Sequence, residues 1–463
     1  MKIKAVPLSW IRRWGLRLDT SPYMGGAVEA RIKLESLAAR KDELRQLTKN
    51  GMAGIVNAGR IKRLWVEDPD HGTRFLSSTD ILRADLSTCS LISNKAVAAN
   101  PKLIVHQGWT LITRAGTVGR MAYARSDMDG MACTEDVLRV IPDTSKIRPG
   151  YLYAFLGSQF GVPLVTSGTY GAIIQHIEPE HIADLPVPRF SDVVERKAHE
   201  LVEKAADNRA GASRLREESL ALFASLIAMP DMSLSGTPLS FATFPTRAGK
   251  LGRLDAAYHS PPGVQAAKAL SKCEPTDHLG NVADVFQTNI FKRPYVDDPQ
   301  YGYPYFSGAD LFNYDPSPRG YLRKTAPGID QYIVKKDWLL MQDAGQLGGL
   351  IGRVMRVTSQ QDLSVVSNHL IRINAKNRRD SAYLFTLLSS PIGYRAVVRN
   401  AFGSSIPQLE SAHLREISIP WPKESTRQQI ADLVVKSWDL EDAAIDFDHK
   451  AVALVEQAIE EAA

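Results

Sequence analysis

The chain has 463 residues, of which 44% are hydrophobic and 23% are charged, values typical of a folded soluble protein. This length exceeds what one hydrophobic core usually organises, which excludes a single small domain and predicts two or three. The 56 basic and 51 acidic residues give a net charge of +5, which is compatible with a polyanionic partner and does not require one.

Cysteine usage and hydropathy exclude further classes of protein. The three cysteines, Cys89, Cys133 and Cys273, lack C-x-x-C spacing, which favours buried thiols in a reducing compartment over a redox or metal site. The N-terminal MKIKAVPLSWIRRWG lacks the apolar core of a signal peptide, and the longest apolar run, at 221–229, is too short to span a bilayer. We therefore expect a soluble, cytoplasmic protein without a membrane partner.

Residues 1–190 mix strand and helix signals. Runs such as LIVHQGWTLITR and MAYAR, which are bounded by Gly, Asp and Pro, predict strands, and YLYAFLGSQFG predicts a short helix. The EDPDHG segment is typical of a turn. This part of the chain is therefore predicted to be one module of mixed α and β structure.

A long helix is predicted over 191–229. Its apolar and small residues alternate at spacings of four and three, which is the heptad pattern of a coiled coil, and at about 1.5 Å per residue the helix would be roughly 50 Å long. The following residues, 230–250, are rich in Ser, Thr, Pro and Gly and predict a linker. The predicted seam of the helix comprises Val194, Ala198, Leu201, Ala205, Asn208, Ala212, Leu215, Ser219, Leu222 and Leu226.

A second module is predicted over 251–422, and a second long helix over 423–463. This helix has the same spacing of apolar and small residues. From Ala198 onward, each position of the first seam has a counterpart 232 residues later, as Leu201 has in Leu433. The second predicted seam comprises Ile430, Leu433, Ser437, Leu440, Ala444, Phe447, Ala451, Leu454 and Ala458.

The two modules repeat each other in sequence. RLDTSPY at 17–23 returns as RLDAAY at 253–258, and VEDPDHGTRFLSSTDIL at 66 returns as VDDPQYGYPYFSGADLF at 296, an offset of 296 − 66 = 230. GAIIQHIEPEHIADLPVP at 171 pairs with GSSIPQLESAHLREISIP at 403, an offset of 403 − 171 = 232. Matching segments in one order at a nearly constant offset predict a tandem duplication of one fold.

Each long helix has one apolar stripe that would face water in isolation, so each requires a packing partner. Two arrangements stay open: the helices pair with each other, or each packs on its own module. The small seam residues favour close antiparallel pairing, with one module at each end of a stiff rod. Gly211 costs the first helix about 1 kcal/mol relative to alanine, which indicates a packing or bending role. The predicted fold class is α+β, with two tandem mixed α/β domains separated by a pair of long antiparallel coiled-coil helices.

The order of these features resembles the specificity (S) subunits of type I restriction-modification enzymes. Two modules alternate with two long helices, and each module begins near an RLDxxY motif and ends with L/I-P-x-P before its helix. The resemblance covers essentially the whole chain and is specific because the ordered set occurs twice. The helix entries PRFSDVVERKAHELV and PKESTRQQIADLV depart from the family's PPL-x-EQ run, so the details of partner docking do not carry over.

The resemblance implies that each module is a target-recognition domain that reads one half of a bipartite, asymmetric sequence in double-stranded DNA. It also implies that the helices fix the half-site separation and dock two methyltransferase (M) subunits, which motor-nuclease (R) subunits can join. S-adenosylmethionine is then expected on the methyltransferase, with no cofactor, metal or catalytic residue on this chain. A fixed spacing suits such a reader because duplex DNA presents its grooves periodically.

Candidate DNA contacts are Arg, Lys, Asn and Gln side chains beside turns, because these residue types bind phosphates and read base edges. NAGRIKRLW at 57–65 and its counterpart QTNIFKRPY at 287–295 each place basic residues next to an aromatic one. Such a cluster is either a solvated surface or a DNA contact, and its recurrence in both copies supports the second interpretation. The candidates in it are Asn57, Arg60, Lys62, Arg63, Asn289, Lys292 and Arg293.

Two further pairs of segments supply candidates. TRAGTVGR at 113–120 and its counterpart QDAGQ at 342–346 are either simple strand turns or DNA contacts, and the chain has no GxxxxGK[ST] phosphate loop. Polar residues also precede the last strand signal of each module. The remaining candidates, which include one isolated arginine, are Arg74, Arg114, Thr117, Arg120, Thr169, Tyr170, Gln175, Gln342, Gln346, Ser404, Ser405 and Gln408.

Known catalytic motifs are absent from the sequence. A DNA amino-methyltransferase requires an [NDS]PP[YFW] loop, and DPSP at 315–318 lacks the aromatic residue. The acidic residues are scattered, unlike those of a nuclease, and the ten histidines form neither HExxH nor HxH. We therefore predict a non-catalytic chain. The alternatives are a duplicated protein-binding scaffold of another defence complex, without salt-dependent DNA affinity, and an enzyme with an unrecognised site.

Overall fold

The chain forms two compact units in a computed structural model that describes residues 3–13, 21–167, 176–226, 253, 258–403 and 405–462. The first unit is Met1–Ala210 with Ala443–Ala463, and the second is Gly211–Asp442. Both boundaries fall inside long helices, so each unit contains half of each helix, whereas the sequence divides the chain at the helix ends. The predicted linker at 230–250 lies outside the described residues.

The first unit combines short helices with three small sheets. Its helices are α1 (Leu8–Arg13), α2 (Ser21–Met24), α3 (Ala27–Ser36), α4 (Leu44–Leu47), α5 (Asn94–Ala99), α6 (Pro149–Leu156), α7 (Gly161–Ser167), α8 (Pro179–Ile182) and the first part of α9 (Asp192–Leu226). Its strands are β1 (Lys41–Glu43), β2 (Ile55–Val56), β3 (Trp65–Val66), β4 (Gly72–Leu76), β5 (Leu91–Ser93), β6 (Thr110–Thr113), β7 (Met121–Tyr123), β8 (Ala132–Cys133), β9 (Val137–Val140) and β10 (Pro186–Pro188).

The second unit has corresponding elements. Its helices are α10 (Pro261–Leu270), α11 (Leu279–Val282), α12 (Arg378–Ser389), α13 (Pro391–Val398), α14 (Ser411–Arg415) and the first part of α15 (Glu424–Glu461). Its strands are β11 (Thr276–His278), β12 (Ala283–Phe286), β13 (Tyr295–Val296), β14 (Gly302–Phe306), β15 (Gly320–Arg323), β16 (Leu339–Gln342), β17 (Val354–Arg356), β18 (Val365–Val366), β19 (Leu370–Ala375) and β20 (Ser418–Pro420).

The sheets of the two units have one topology. The first unit has an antiparallel sheet in the order β2-β9-β6-β7, a mixed sheet β3-β5-β4-β8 with β4 parallel to β8, and the pair β1-β10. The second has β12-β19-β16-β17, β13-β15-β14-β18 with β14 parallel to β18, and β11-β20. Identical strand orders in the same chain order confirm the predicted duplication of a mixed α/β fold.

Burial on both faces explains the continuous apolar runs in the central strands. All four residues of β6 are buried. Ile112 packs in a cluster with α6 and the long helices, whereas Leu111 packs on the opposite face with Leu76 of β4. The β16 strand has the same division, with Leu339 and Leu340 in different clusters. A strand covered on both faces needs apolar residues at every position and therefore does not alternate with polar ones.

A buried arginine lies in the same place in both antiparallel sheets. Arg139 of β9 donates from Nη1 to the carbonyl of Thr134 at 3.0 Å, and Arg372 of β19 donates from Nη1 to that of Leu370 at 2.6 Å. Burial lowers the pKa of Arg372 to about 10. Both guanidinium groups therefore satisfy backbone carbonyls inside the unit, because a buried carbonyl without a donor is costly.

The two long helices are antiparallel, which confirms the predicted pairing. In the first unit, Ala198 and Val202 of α9 share a buried cluster with Val455 near the end of α15. In the second unit, Phe223 near the end of α9 shares a cluster with Ile430 near the start of α15. The start of each helix therefore packs beside the end of the other.

Ion pairs occupy buried or half-buried positions between the helices in each unit. In the first unit, Arg209 donates from Nη1 to Asp448 Oδ2 at 2.6 Å, and both side chains are less than 10% exposed. In the second unit, Arg216 donates to Glu441. These pairs correspond through the repeat, because 209 + 232 = 441 and 216 + 232 = 448. A charged residue is buried at a coiled-coil seam at the lowest cost when its partner lies directly opposite.

The seam differs from its prediction at every second position. Every second predicted residue is buried as predicted, namely Ala198, Ala205, Ala212, Ser219, Ile430, Ser437, Ala444 and Ala451. The predicted residues between them are half-buried, and most of these lie one residue before a buried one, as Leu201 does before Val202. The half-buried residues are Val194, Leu201, Asn208, Leu215, Leu222, Leu433, Leu440, Phe447, Leu454 and Ala458; the side chain of Leu226 lies outside the described ones. The actual seam residues are Ala198, Val202, Ala205, Arg209, Ala212, Arg216, Ser219 and Phe223 on α9, with Ile430, Val434, Ser437, Glu441, Ala444, Asp448, Ala451 and Val455 on α15.

Gly211 allows a close approach between the helices within the second unit. A Cβ atom at this position would lie 3.3 Å from Cδ1 of Leu440, which is tighter than ordinary contact. The packing role that the sequence indicates for Gly211 therefore has a specific neighbour.

Polar side chains from strands β7 and β17 attach the modules to the long helices. In the first unit, the Tyr123 hydroxyl donates to Glu203 of α9. In the second, Arg356 corresponds to Tyr123, since 356 − 233 = 123. It donates from Nη2 to Asp442 Oδ1 of α15 at 2.7 Å. The Arg356 guanidinium also lies 5.1 Å from the Trp438 ring centroid. The same strand therefore fixes the helix in both units through different chemistry.

We expect Asp442 to make the stability of the second unit depend on pH. Burial acts to raise the pKa of Asp442, but the hydrogen bond and charge of Arg356 outweigh it and hold this pKa below its ordinary value. The stabilisation is therefore complete above the unfolded-state pKa of about 3.9 and is lost as pH falls through the lower folded-state value. Asp442→Asn should accordingly lose less stability than the unsubstituted chain between about pH 5 and 2.

The measurement is thermal unfolding followed by circular dichroism across this pH range. Asp439→Asn, on the same helix with a side chain that is 59% exposed, is the matched control and should keep the full pH dependence. Equal pH profiles for Asp442→Asn and the unsubstituted chain would contradict the prediction.

Candidate nucleic-acid interface

Three segments of the first unit meet beside the antiparallel sheet: the β2–β3 loop (57–64), the β6–β7 loop (114–120) and the pre-β10 segment (176–185). Asn57 donates from Nδ2 to Glu178 Oε2 at 3.2 Å, and Arg114 pairs with the same carboxylate. Ala115 forms a β-bridge with His176. Glu178 therefore connects all three segments, and the structure brings together residues that the sequence places in separate clusters.

The second unit joins its three corresponding segments with different residues. These are the β12–β13 loop (287–294), the β16–β17 loop (343–353) and the pre-β20 segment (402–417). Gln287, at the position of Asn57, donates from Nε2 to Asp343 Oδ2 at 3.0 Å and to the Leu409 carbonyl at 3.2 Å. Gly345 donates its backbone N–H to the Pro407 carbonyl at 3.1 Å. Each unit therefore presents its own composite surface, which is formed by three loops.

Several predicted DNA contacts support these loops from within. The side chain of Arg114 is only 14% exposed, and its Nε donates to the Ile177 carbonyl at 3.0 Å. The Gln342 side chain is half-buried and donates to the Ala344 carbonyl at 3.2 Å. Asn57, Arg114 and Gln342 therefore all bond to groups inside their own units, and the structure assigns them to the support of the loops. Their contact with DNA stays a prediction.

Arg63 and Arg293 correspond but have different environments. Arg63 lies 5.5 Å from the ring centroid of Phe75 and pairs with Glu135 at 3.2 Å. Burial opposes ionisation of Glu135, yet backbone hydrogen bonding and Arg63 together hold the pKa of this carboxyl below its ordinary value. Arg293 lies 5.1 Å from the Tyr305 ring centroid, and no ion pair with it occurs within the described ranges. Its charge is therefore less neutralised by the protein than that of Arg63.

The remaining predicted contacts are exposed to solvent. Arg74 differs from the others in lying on β4, outside the three loops. Those exposed on the loops are Arg60, Lys62, Thr117, Arg120, Asn289, Lys292, Gln346, Ser405 and Gln408, together with Arg63 and Arg293. Thr169, Tyr170, Gln175 and Ser404 lie outside the described residues. The exposed set has the donors that phosphate and base-edge recognition requires.

Sequence reasoning missed the acidic and amide residues that hold the loops, namely Glu135, Glu178, Gln287 and Asp343. The signal for one of them was present, because Gln287 lies 287 − 57 = 230 residues after Asn57. Glu135 and Asp343 had no such signal, because their counterparts are not acidic: Glu135 corresponds to Asn368, and Asp343 corresponds to Arg114. Only the folded loops show which groups these carboxylates contact.

The described part of the chain shows neither a metal-binding cluster nor a membrane-spanning helix. Within it, no group of three or more His, Cys, Asp or Glu side chains is arranged to hold a metal ion. The helices in the same ranges include none with both the length and the apolar character needed to cross a membrane.

Comparison with known proteins gives one family-model match and matches to solved structures. A family model described as the type I restriction modification DNA specificity domain matches residues 276–437, from the start of β11 into α15. A search of curated proteins found no significant match. A solved S subunit of the type I restriction-modification system from M. genitalium is 13% identical with a TM-score of 0.33, and covers 92% of this chain and 95% of its own. The HsdS subunit from Thermoanaerobacter tengcongensis is 14% identical with a TM-score of 0.28, and covers 91% and 96%. Residues 276–437 therefore match the model of the type I restriction modification DNA specificity domain, and the first unit has the same strand orders as the second.

Proposed function

We propose that this chain is the DNA specificity subunit of a type I restriction-modification complex, in which each unit reads one half of a bipartite target. The family match over the second unit carries the proposal, and the repeated topology extends it to the first unit. The three-loop surface of each unit supplies exposed donors for the phosphate backbone and for base edges.

The two half-sites differ in this proposal, because the two surfaces differ at corresponding positions. Arg60 in the first unit corresponds to Ile290 in the second, and the Glu135 that pairs with Arg63 corresponds to Asn368. Residues that read bases set the preferred sequence. Two diverged surfaces on one chain should therefore select a non-palindromic target.

Chemistry belongs to the partners in this proposal. Two methyltransferase subunits dock on the long helices and bind S-adenosylmethionine, and motor-nuclease subunits complete the restriction enzyme. The chain itself is non-catalytic and acts in the cytoplasm on double-stranded DNA. The absence of known catalytic motifs from its sequence supports this division of roles.

The test is to co-purify the full chain with the methyltransferase encoded beside its gene and to map methylated positions in DNA that the complex has modified. A split, non-palindromic motif that disappears when this chain is omitted is the expected result. Exchange of one module for that of a relative should change only one half of the motif. Unchanged methylation with and without the chain, and no DNA binding by the complex, would overturn the proposal in favour of a protein-binding scaffold.

A further inference from the structure

The second unit exposes aliphatic side chains on all three loops of its composite surface. Ile290 on the β12–β13 loop is 85% exposed, Leu347 on the β16–β17 loop 53%, and Ile406 on the pre-β20 segment 62%. Contact of side chains of this size with water is unfavourable, and their burial against a ligand is favourable. Their placement therefore calls for a ligand that covers them.

Backbone and amide hydrogen bonds hold these three loops beside one another. Gln287 precedes Ile290 and bonds to Asp343 and to the Leu409 carbonyl. Gly345 bonds to Pro407, next to Ile406. Gly348 has a φ of +83°, a conformation that favours glycine, and forms the turn directly after Leu347. The exposed apolar residues thus belong to a fixed group of loops.

The corresponding loop of the first unit has a different character. Ile290 corresponds to Arg60, since 290 − 230 = 60, and Arg60 is exposed. The second unit therefore has an apolar side chain where the first has a guanidinium. Arginine recognises guanine O6 and N7 in the major groove, whereas an aliphatic side chain matches the 5-methyl group of thymine.

We infer that the second unit reads thymine in its half-site by placing Ile290, Leu347 and Ile406 against thymine methyl groups in the major groove. This inference rests on the proposed function and specifies the ligand of the second unit's surface. Lys292 and Arg293, exposed on the same loop as Ile290, supply the charge that draws this apolar surface to the DNA backbone. Ile290 in place of Arg60 would also give the two units different base preferences at this position.

The test combines protein variants with deletion of the thymine methyl group. Once the target is mapped and each half assigned by module exchange, thymines in one half are replaced with deoxyuridine, which keeps the base pair and removes only the methyl. The affinity of the complex for each duplex is measured for the unsubstituted chain and for Ile290→Ala, Leu347→Ala and Ile406→Ala. Leu363→Ala is the matched control, because Leu363 is 54% exposed and lies outside the three loops.

We expect deoxyuridine in the second unit's half-site to weaken binding about fourfold per contacted thymine, the loss of roughly one buried methyl (~0.8 kcal/mol). A variant that lacks the contacting side chain should bind thymine DNA about as weakly as the unsubstituted chain binds deoxyuridine DNA. Its affinity should not fall further when thymine is replaced by deoxyuridine. Leu363→Ala should behave as the unsubstituted chain.

Sequence-specific binding that is insensitive to deoxyuridine in this half-site would overturn the inference and leave the proposed function intact. Equal additional losses with deoxyuridine in the variants and in the unsubstituted chain would also overturn it, because the side chain and the methyl would then act independently. No sequence-specific binding by the complex at all would instead contradict the proposed function.

Discussion

We expect Asp448→Ala to lower the free energy of unfolding of the chain by about 3–5 kcal/mol. Arg209 is 6% exposed, and its Nη1 donates to Asp448 at 2.6 Å across the two long helices. Alanine removes this carboxylate but leaves the guanidinium at the seam, where water cannot fully solvate it. The loss should be visible in urea unfolding of the full chain followed by circular dichroism.

A double substitution separates the buried charge from the packing of the helices. Arg209→Leu with Asp448→Leu replaces both charges by apolar side chains, so its stability should be close to or above that of the unsubstituted chain. Glu460→Ala, at an exposed position of the same helix, controls for the loss of a carboxylate as such. If Asp448→Ala and Glu460→Ala cost the same, the ion pair does not stabilise the helix pair.

This ion pair also explains how far the sequence could predict the coiled coil. The heptad spacing and the 232-residue offset predict two paired helices over 191–229 and 423–463, and the structure has Asp192–Leu226 and Glu424–Glu461. Apolar periodicity alone cannot distinguish Leu201 from its neighbour Val202, because both side chains fit a seam equally well. The spacing therefore leads to Leu201, although Val202 is the buried residue. Periodicity also cannot select Arg209, since a single sequence does not show which charge has a buried partner opposite.

Charge alone would not have given the direction of the helices. A parallel arrangement would match Arg209 with Glu441, its counterpart in the repeat, whereas the antiparallel arrangement matches it with Asp448. Both pairs have opposite signs, so both satisfy a purely electrostatic argument. The direction follows from packing, in which the start of each helix shares a cluster with the end of the other.

The sequence could predict which loops of the two units correspond, but not the roles of the residues on them. Recurrence at a constant offset correctly marked the loops after β2 and β12 as corresponding elements. It did not show that Asn57 and Arg114 both bond to Glu178, because these residues are far apart in sequence. A polar residue that supports a loop and one that meets a ligand have the same composition, and only the folded loops separate them.

We expect the salt dependence of DNA binding to be the property of the complex that changes most when Arg60, Lys62 and Arg120 are neutralised together. The three side chains are exposed on the loops of the first unit, and no ion pair to them occurs among the described residues. Each phosphate contact adds about 0.9 to the slope of log affinity against log salt, so loss of three lowers the slope by about 2.7. Between 0.03 and 0.3 M salt, the affinity ratio of unsubstituted to variant complex should then change by about 500-fold.

The matched control replaces three exposed lysines on the long helices of the same unit, as Lys197→Ala, Lys204→Ala and Lys450→Ala. Both triple variants change the net charge equally, so a difference between them measures local contact with DNA rather than the overall field of the protein. Titrations across the salt range, on complexes first shown by gel filtration to have assembled, give both slopes. Equal slopes for the two variants would place the phosphate contacts of the first unit outside these loops, whereas a lower slope for the loop variant alone would identify the three-loop surface as the one that meets the DNA backbone.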